Sequence, residues 1–232
     1  MIERIFASFV DATTVILPLL IAIPFHEAAH GFVAHRCGDD TAWRLGRVTF
    51  NPLRHIDPFG TIILPLMLYM TGGILFGYAK PVPVNFRALR HPRTDSVYVA
   101  AAGPAMNIAL AVASGYLVRS LPFLPNFAIP WLAENFANSI LINILLAVFN
   151  MLPMPPLDGG RVAVGLLPRA LALPLARMEP YGLPILLLLI FVLPLIGENF
   201  GIDLNVIAWL LSWPRDYVLQ LAAQLHHKGL TG

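Results

Sequence analysis

Charge is scarce in this 232-residue chain. Asp, Glu, Lys and Arg make up 12% of it, 57% is hydrophobic, and the mean hydropathy is +0.72. A soluble domain carries about a quarter charged residues, so a fold solvated by water on all sides is excluded. Cysteine is almost absent: Cys37 stands alone, which rules out an intrachain disulfide and any cysteine-built structural zinc site. With a net charge of +2 and no basic, aromatic-interleaved face, the chain has no footprint for nucleic acid. Internal repeats, low-complexity tails and long linkers are also missing. A single membrane-embedded domain over 1–232 is expected, with a core at about 13–165 and C-terminal helices within 180–225.

Long uncharged runs fill the space that charge leaves. Thr13–His26, Phe59–Ala79, Ser96–Val118, Asn135–Leu157 and Pro180–Gly197 contain no Asp, Glu, Lys or Arg. A helix needs roughly 17–25 apolar residues to cross the hydrocarbon, and these runs reach or approach that length. The first is expected to remain as a membrane helix, being too long for a cleavable signal and having no small-residue cleavage pattern. The fold class that follows is an all-α polytopic membrane protein with about five to six transmembrane helices.

Eleven of the 15 basic residues fall in three segments, 36–58, 80–95 and 158–179. Loops rich in Lys and Arg stay in the cytoplasm, so all three belong on one side. Segment 59–79 must then return to the side it left, as a re-entrant or extended stretch between the first two catalytic-core helices. Pro65, Gly72, Gly73 and Gly77 offer places to turn. Residues 204–225 are expected to form a last helix with Trp209 and Trp213 as interfacial anchors. The location implied is a prokaryotic cytoplasmic membrane, with the lipid bilayer as partner.

The chemistry sits inside the first run. His26-Glu27-Ala28-Ala29-His30 places two imidazoles four residues apart on one helix face, a spacing that binds one metal while the glutamate addresses its water. Ionisable side chains at membrane depth are costly and mark function. A catalytic zinc takes three protein ligands and a water. Asp158 closes the 135–157 run behind Pro153, Pro155 and Pro156, and Gly159-Gly160 follows it. The prolines unwind the helix and the glycines permit close backbone approach, so Asp158 is the expected third ligand. Two neutral imidazoles, one carboxylate, Zn²⁺ and hydroxide sum to zero, a cluster that a low-dielectric site tolerates.

These motifs resemble the site-2 protease family of intramembrane zinc metalloproteases. The resemblance spans about residues 20–165 and rests on three elements in order: HEAAH, Gly103-Pro104-Ala105-Met106-Asn107, and Asn150 through Leu157-Asp158-Gly159-Gly160. It implies His26, His30 and Asp158 as ligands of one zinc and Glu27 as general base. It also implies cleavage of membrane-embedded peptide bonds and an active site toward the cytoplasm. Asn51-Pro52-Leu53-Arg54-His55-Ile56-Asp57-Pro58 resembles a compact prokaryotic subgroup without a PDZ domain. The partner implied is a membrane protein with a transmembrane helix.

Several residues admit two readings. Asn107 and Asn150 are amides in apolar runs: structural bridges between helices, or, by the resemblance, holders of the substrate strand or oxyanion. His55 and Asp57 form either a pair behind the metal or a gate, with Asp57 as a loop cap before Pro58 the alternative. Tyr78–Phe86 reads as extended, either a connecting loop or an edge that pairs with an unwound substrate. Pro24 is expected to kink the first helix. A metal transporter would need a second ligand cluster. A di-iron oxidase would need more than the seven histidines present.

Overall fold

The computed structural model describes residues 2–64, 66–67, 77–205, 209 and 212, with side chains from Val10 onward. The described residues form helices and turns and no strand, in keeping with an all-α membrane protein. Helix α1 runs Ile2–Arg36, α2 is the short Thr41–Arg44, α3 is Pro92–Leu117 and α4 is Ile129–Asn150. Then come α5 (Asp158–Leu166), α6 (Arg169–Arg177), α7 (Gly182–Leu187) and α8 (Leu193–Asn199). Among the described residues four stretches are long and apolar enough to cross a membrane: Val10–Arg36, Pro92–Phe123, Ile129–Asn150 and Arg169–Asn199. The expected last helix at 204–225 lies almost wholly outside the described residues, as does Trp213.

Helices α1, α3 and α4 pack against one another, and α5 packs on α3. Their interfaces use small residues: Ala22, Ala28, Ala29, Ala34, Ala100, Ala111 and Ala147 are buried. Large side chains such as Leu17, Ile21, Ile108, Val112 and Leu195 point outward. Lipid is as apolar as leucine, so helices in it associate through close packing and interhelical hydrogen bonds. Buried hydrogen-bonded polar groups confirm that pattern. At one end of the bundle Trp131 Nε1 donates to Thr13 Oγ1 at 2.9 Å, and Asn138 Nδ2 donates to the Thr14 carbonyl at 3.1 Å.

Helix α1 continues through both Pro18 and Pro24. Its end is set by Gly38, whose φ of 108° lies in the left-handed region that a Cβ disfavours. The Asp39 amide donates to the Ala34 carbonyl and the Gly38 amide to that of His35, the paired bonds of a Schellman cap. Asp39 is thereby fixed and 1% exposed, with its carboxylate accepting from the Thr41 and Asn85 amides. Below it His35 bonds Asp40 and stacks on Trp43, and that imidazole holds the Asp40 carboxyl below the usual carboxylate range.

The segment between α1 and α3 comes back to its starting point. Pro58–Ile63 forms one wide helical turn, capped by Asp57, whose carboxylate accepts from the Phe59 and Gly60 amides. Seventeen residues on, the Thr61 hydroxyl donates to the Tyr78 carbonyl, and the Tyr78 amide donates to the Gly60 carbonyl at 3.0 Å. Gly60 and Thr61 therefore lie directly beside Tyr78. Pro65, Gly72 and Gly73 lie outside the described residues. Residues 77–85 then run extended but join no sheet. The run expected to span 135–157 stops being helical at Asn150, because Pro153, Pro155 and Pro156 cannot continue it.

Candidate metal centre

His26 and His30 are one helical turn apart on α1 and both 8% exposed. Each imidazole is oriented from behind. His26 Nδ1 lies 2.6 Å from Asn107 Oδ1, and His30 Nδ1 lies 2.7 Å from the Val99 carbonyl. A carbonyl oxygen only accepts, so each Nδ1 carries a proton and each ring turns its Nε2 forward. The two Nε2 atoms are 3.1 Å apart.

Helix α3 supplies both the backing and the room. A Cβ on Gly103 would stand 2.4 Å from His30 Nε2 and 2.6 Å from His26 Nε2, so only glycine allows α3 to lie this close. One turn on, Asn107 is fully buried. Its Nδ2 donates to Asn143 Oδ1 at 2.8 Å, and Asn143 Nδ2 donates to the Ser139 carbonyl at 2.8 Å. A hydrogen bond between the Ser139 and Ser114 hydroxyls closes the chain. Asn107 thus lies behind His26 with its carboxamide engaged on both sides. Asn143 and the Val99 carbonyl escaped the sequence reading, although Asn143 lies seven residues before Asn150 on the same stripe of α4.

Asp158 arrives as the first residue of α5. The turn 151–157 folds back over the start of that helix. A Cβ on Gly159 would lie 2.3 Å from the Met151 carbonyl, and one on Gly160 would lie 2.5 Å from the Pro155 nitrogen. The two glycines therefore seat the proline-rich turn against α5. Asp158 Oδ2 stands 3.2 Å from His26 Nε2 and 3.3 Å from His30 Nε2. This oxygen is buried and makes no hydrogen bond.

Three ligand atoms from His26, His30 and Asp158 lie within 4.8 Å of one another. In the unprotonated form that metal ligation requires of both Nε2 atoms, all three are acceptors facing each other. Such a set repels itself, and a cation in its midst reverses the sign of the interaction. Two imidazoles and a carboxylate are a donor set that suits zinc.

Glu27 is half-buried beside this cluster, and its Oε2 accepts from the Val82 amide at 2.7 Å. Asn150, the last residue of α4, donates from Nδ2 to the Leu146 carbonyl at 3.0 Å. His55 is 2% exposed, with Nε2 on the Thr49 carbonyl, and its own carbonyl accepts from the Lys80 amide. It thus backs the extended segment, while Asp57 caps the turn below.

The profile of peptidase family M50 matches residues 14–124 and 126–193, most of the chain. The chain belongs to peptidase family M50. A protein of Bacillus subtilis named "Putative zinc metalloprotease YwhC" is 37% identical over 212 residues, covering 89% of each chain. A Mycobacterium tuberculosis protein named "Putative zinc metalloprotease Rip2" is 34% identical over 199 residues, covering 85% of this chain and 73% of its own. A Methanocaldococcus jannaschii protein, MJ0611, named in the same way, is 32% identical over 138 residues, covering 60% of this chain and 62% of its own. No solved structure matches. As an M50 member the chain is a zinc metalloprotease, consistent with the resemblance to site-2 proteases and with its apolar helices.

Proposed function

We propose that this M50 protease cuts transmembrane segments of membrane proteins, with His26, His30 and Asp158 holding one zinc and Glu27 as general base. The observation that carries the reading is the trio of inward-facing acceptors, two of them fixed by hydrogen bonds to Asn107 and Val99, inside an apolar-faced bundle. Zinc bound there supplies Lewis acidity toward a peptide carbonyl and toward water.

The chain's own residues do the rest. Asn107 and the Val99 carbonyl fix the ring orientation and tautomer of the two histidines. The Glu27 carboxylate takes a proton from water and returns it to the leaving amine. A helical substrate hides its carbonyls in internal hydrogen bonds, so it must unwind near Glu27 before it can react. Water reaches the site from the cytoplasmic side, where the basic segments 36–58, 80–95 and 158–179 gather.

Asn107 orients His26 through its Oδ1 and bridges to Asn143 through its Nδ2, which supports the helix-bridging reading of this amide. Asn150 ties its Nδ2 to the Leu146 carbonyl at the end of α4. The test is direct. Glu27→Gln purified in detergent should keep its zinc and fail to cut co-expressed single-span reporter proteins. His26→Ala, His30→Ala and Asp158→Ala should each lose zinc. A Glu27→Gln protein that cuts at the wild-type rate would sink the base assignment.

A further inference from the structure

We infer that Pro81-Val82-Pro83 is a positioning element for the base: the Val82 amide clamps Glu27 Oε2 and leaves Oε1 as the oxygen that handles the proton. The inference rests on the reading of Glu27 given above.

The contact is 2.7 Å long and joins residues 55 apart in sequence, so folding of the whole segment onto α1 creates it. Proline carries no N–H. Across 81–83 the Val82 amide is therefore the single backbone donor, and Pro83 after it restricts the φ and ψ of Val82.

The segment is tied down on both sides of that amide. Lys80 N–H donates to the His55 carbonyl at 2.8 Å, and Arg47 Nη2 donates to the Lys80 carbonyl at 2.9 Å. Beyond it, Asn85 N–H donates to Asp39 Oδ2 at 2.6 Å. The surface of α1 is shaped to receive it. Gly31, one turn after Glu27, would place a Cβ 3.1 Å from Val82 Cγ1 and 2.7 Å from Val48 Cγ2. Val82 is 7% exposed in that seat.

A glutamate has three side-chain torsions and sweeps a wide volume when untethered. Hydrogen bonds to a charged acceptor are short and strong, so one N–H on Oε2 removes most of that freedom. Buried His55 and half-buried Arg47 acquire a purpose in this arrangement: they hold the frame that holds the amide.

The experiment replaces the Val82 amide with an ester in the full-length zinc-loaded protein, through the α-hydroxy acid analogue of valine. This removes the N–H and keeps the side chain. Val82→Pro removes the same N–H by ordinary mutagenesis, and Val82→Ala keeps it. Expected for the ester and for Val82→Pro is a kcat about 10- to 100-fold lower, with KM and zinc content unchanged. Val82→Ala should stay within about threefold of wild type.

An ester variant within about twofold of the wild-type kcat overturns the inference. So does a Val82→Ala protein that loses as much activity as the ester, because side-chain packing would then carry the effect. Glu27→Gln is assayed in parallel. If it is inactive while the ester variant is fully active, the clamp alone fails; if it is active, both readings fail.

Discussion

Adding one methyl group to Gly103 should empty the metal centre without unfolding the protein. The Cβ of an alanine there would stand 2.4 Å from His30 Nε2 and 2.6 Å from both His26 Nε2 and Cε1, where ordinary contact begins at 3.4 Å. The ligand nitrogens would have to retreat by about 1 Å, whereas metal sites tolerate errors of about 0.2 Å. Neither ring can retreat freely, since Asn107 and Val99 hold each from behind. Disturbing the groups that orient ligands costs about 10- to 100-fold in metal affinity, and moving the ligand atoms themselves should cost more.

The helix does not suffer from the change, because alanine is favoured over glycine by about 1 kcal/mol in a helix interior. Gly115 provides the control on the same helix, with open space around its hypothetical Cβ. The assay is zinc content of detergent-purified protein by elemental analysis, alongside reporter cleavage and thermal unfolding. Gly103→Ala should lose zinc and activity; Gly115→Ala should keep both. A Gly103→Ala protein with full zinc and full cleavage would refute the geometry given for the site.

Other expectations follow from the same contacts. Asn107→Ala removes the His26 Nδ1 acceptor and should weaken zinc binding about 10- to 100-fold, measured by competition with a chromogenic chelator. Asn143→Ala acts one bond further away and should cost less metal affinity, together with roughly 0.6–2 kcal/mol of stability from the lost interhelical bond. Gly159→Ala drives a Cβ against the Met151 backbone rather than a flexible side chain, so it should lower the unfolding temperature and displace Asp158 from the metal at once. Removing zinc with a chelator should destabilise wild-type protein, since three buried acceptors are left facing one another, and zinc should restore it.

Much of this was legible in the sequence. HEAAH places two histidines on one face by helical period alone, and the apolar run around it supplies the depth. The prolines before Asp158 and the glycines after it announce a turn with close approach, which is how the 151–160 stretch folds. Prolines 81 and 83 likewise announce an extended segment.

What stayed hidden depends on partners distant in sequence. Asn107 reads equally well as a substrate holder or a helix bridge until His26 is seen 2.6 Å from it. Asn143 is one amide among several in α4, and only the packing of α3 against that face singles it out. The Val82 amide carries no signal, because main-chain donors have no residue type. Charge-free runs mark lipid exposure but not by themselves the residue at which a helix stops; α4 ends at Asn150, ahead of the prolines, within the 135–157 run.

The central claim is that His26, His30 and Asp158 hold the zinc that Glu27 works beside. Zinc content and reporter cleavage, measured on the same preparations of wild type, Glu27→Gln and Asp158→Ala, test it most directly. The account predicts full zinc with no cleavage for Glu27→Gln, and neither zinc nor cleavage for Asp158→Ala. An Asp158→Ala protein that retains its zinc and cuts the reporter would contradict it.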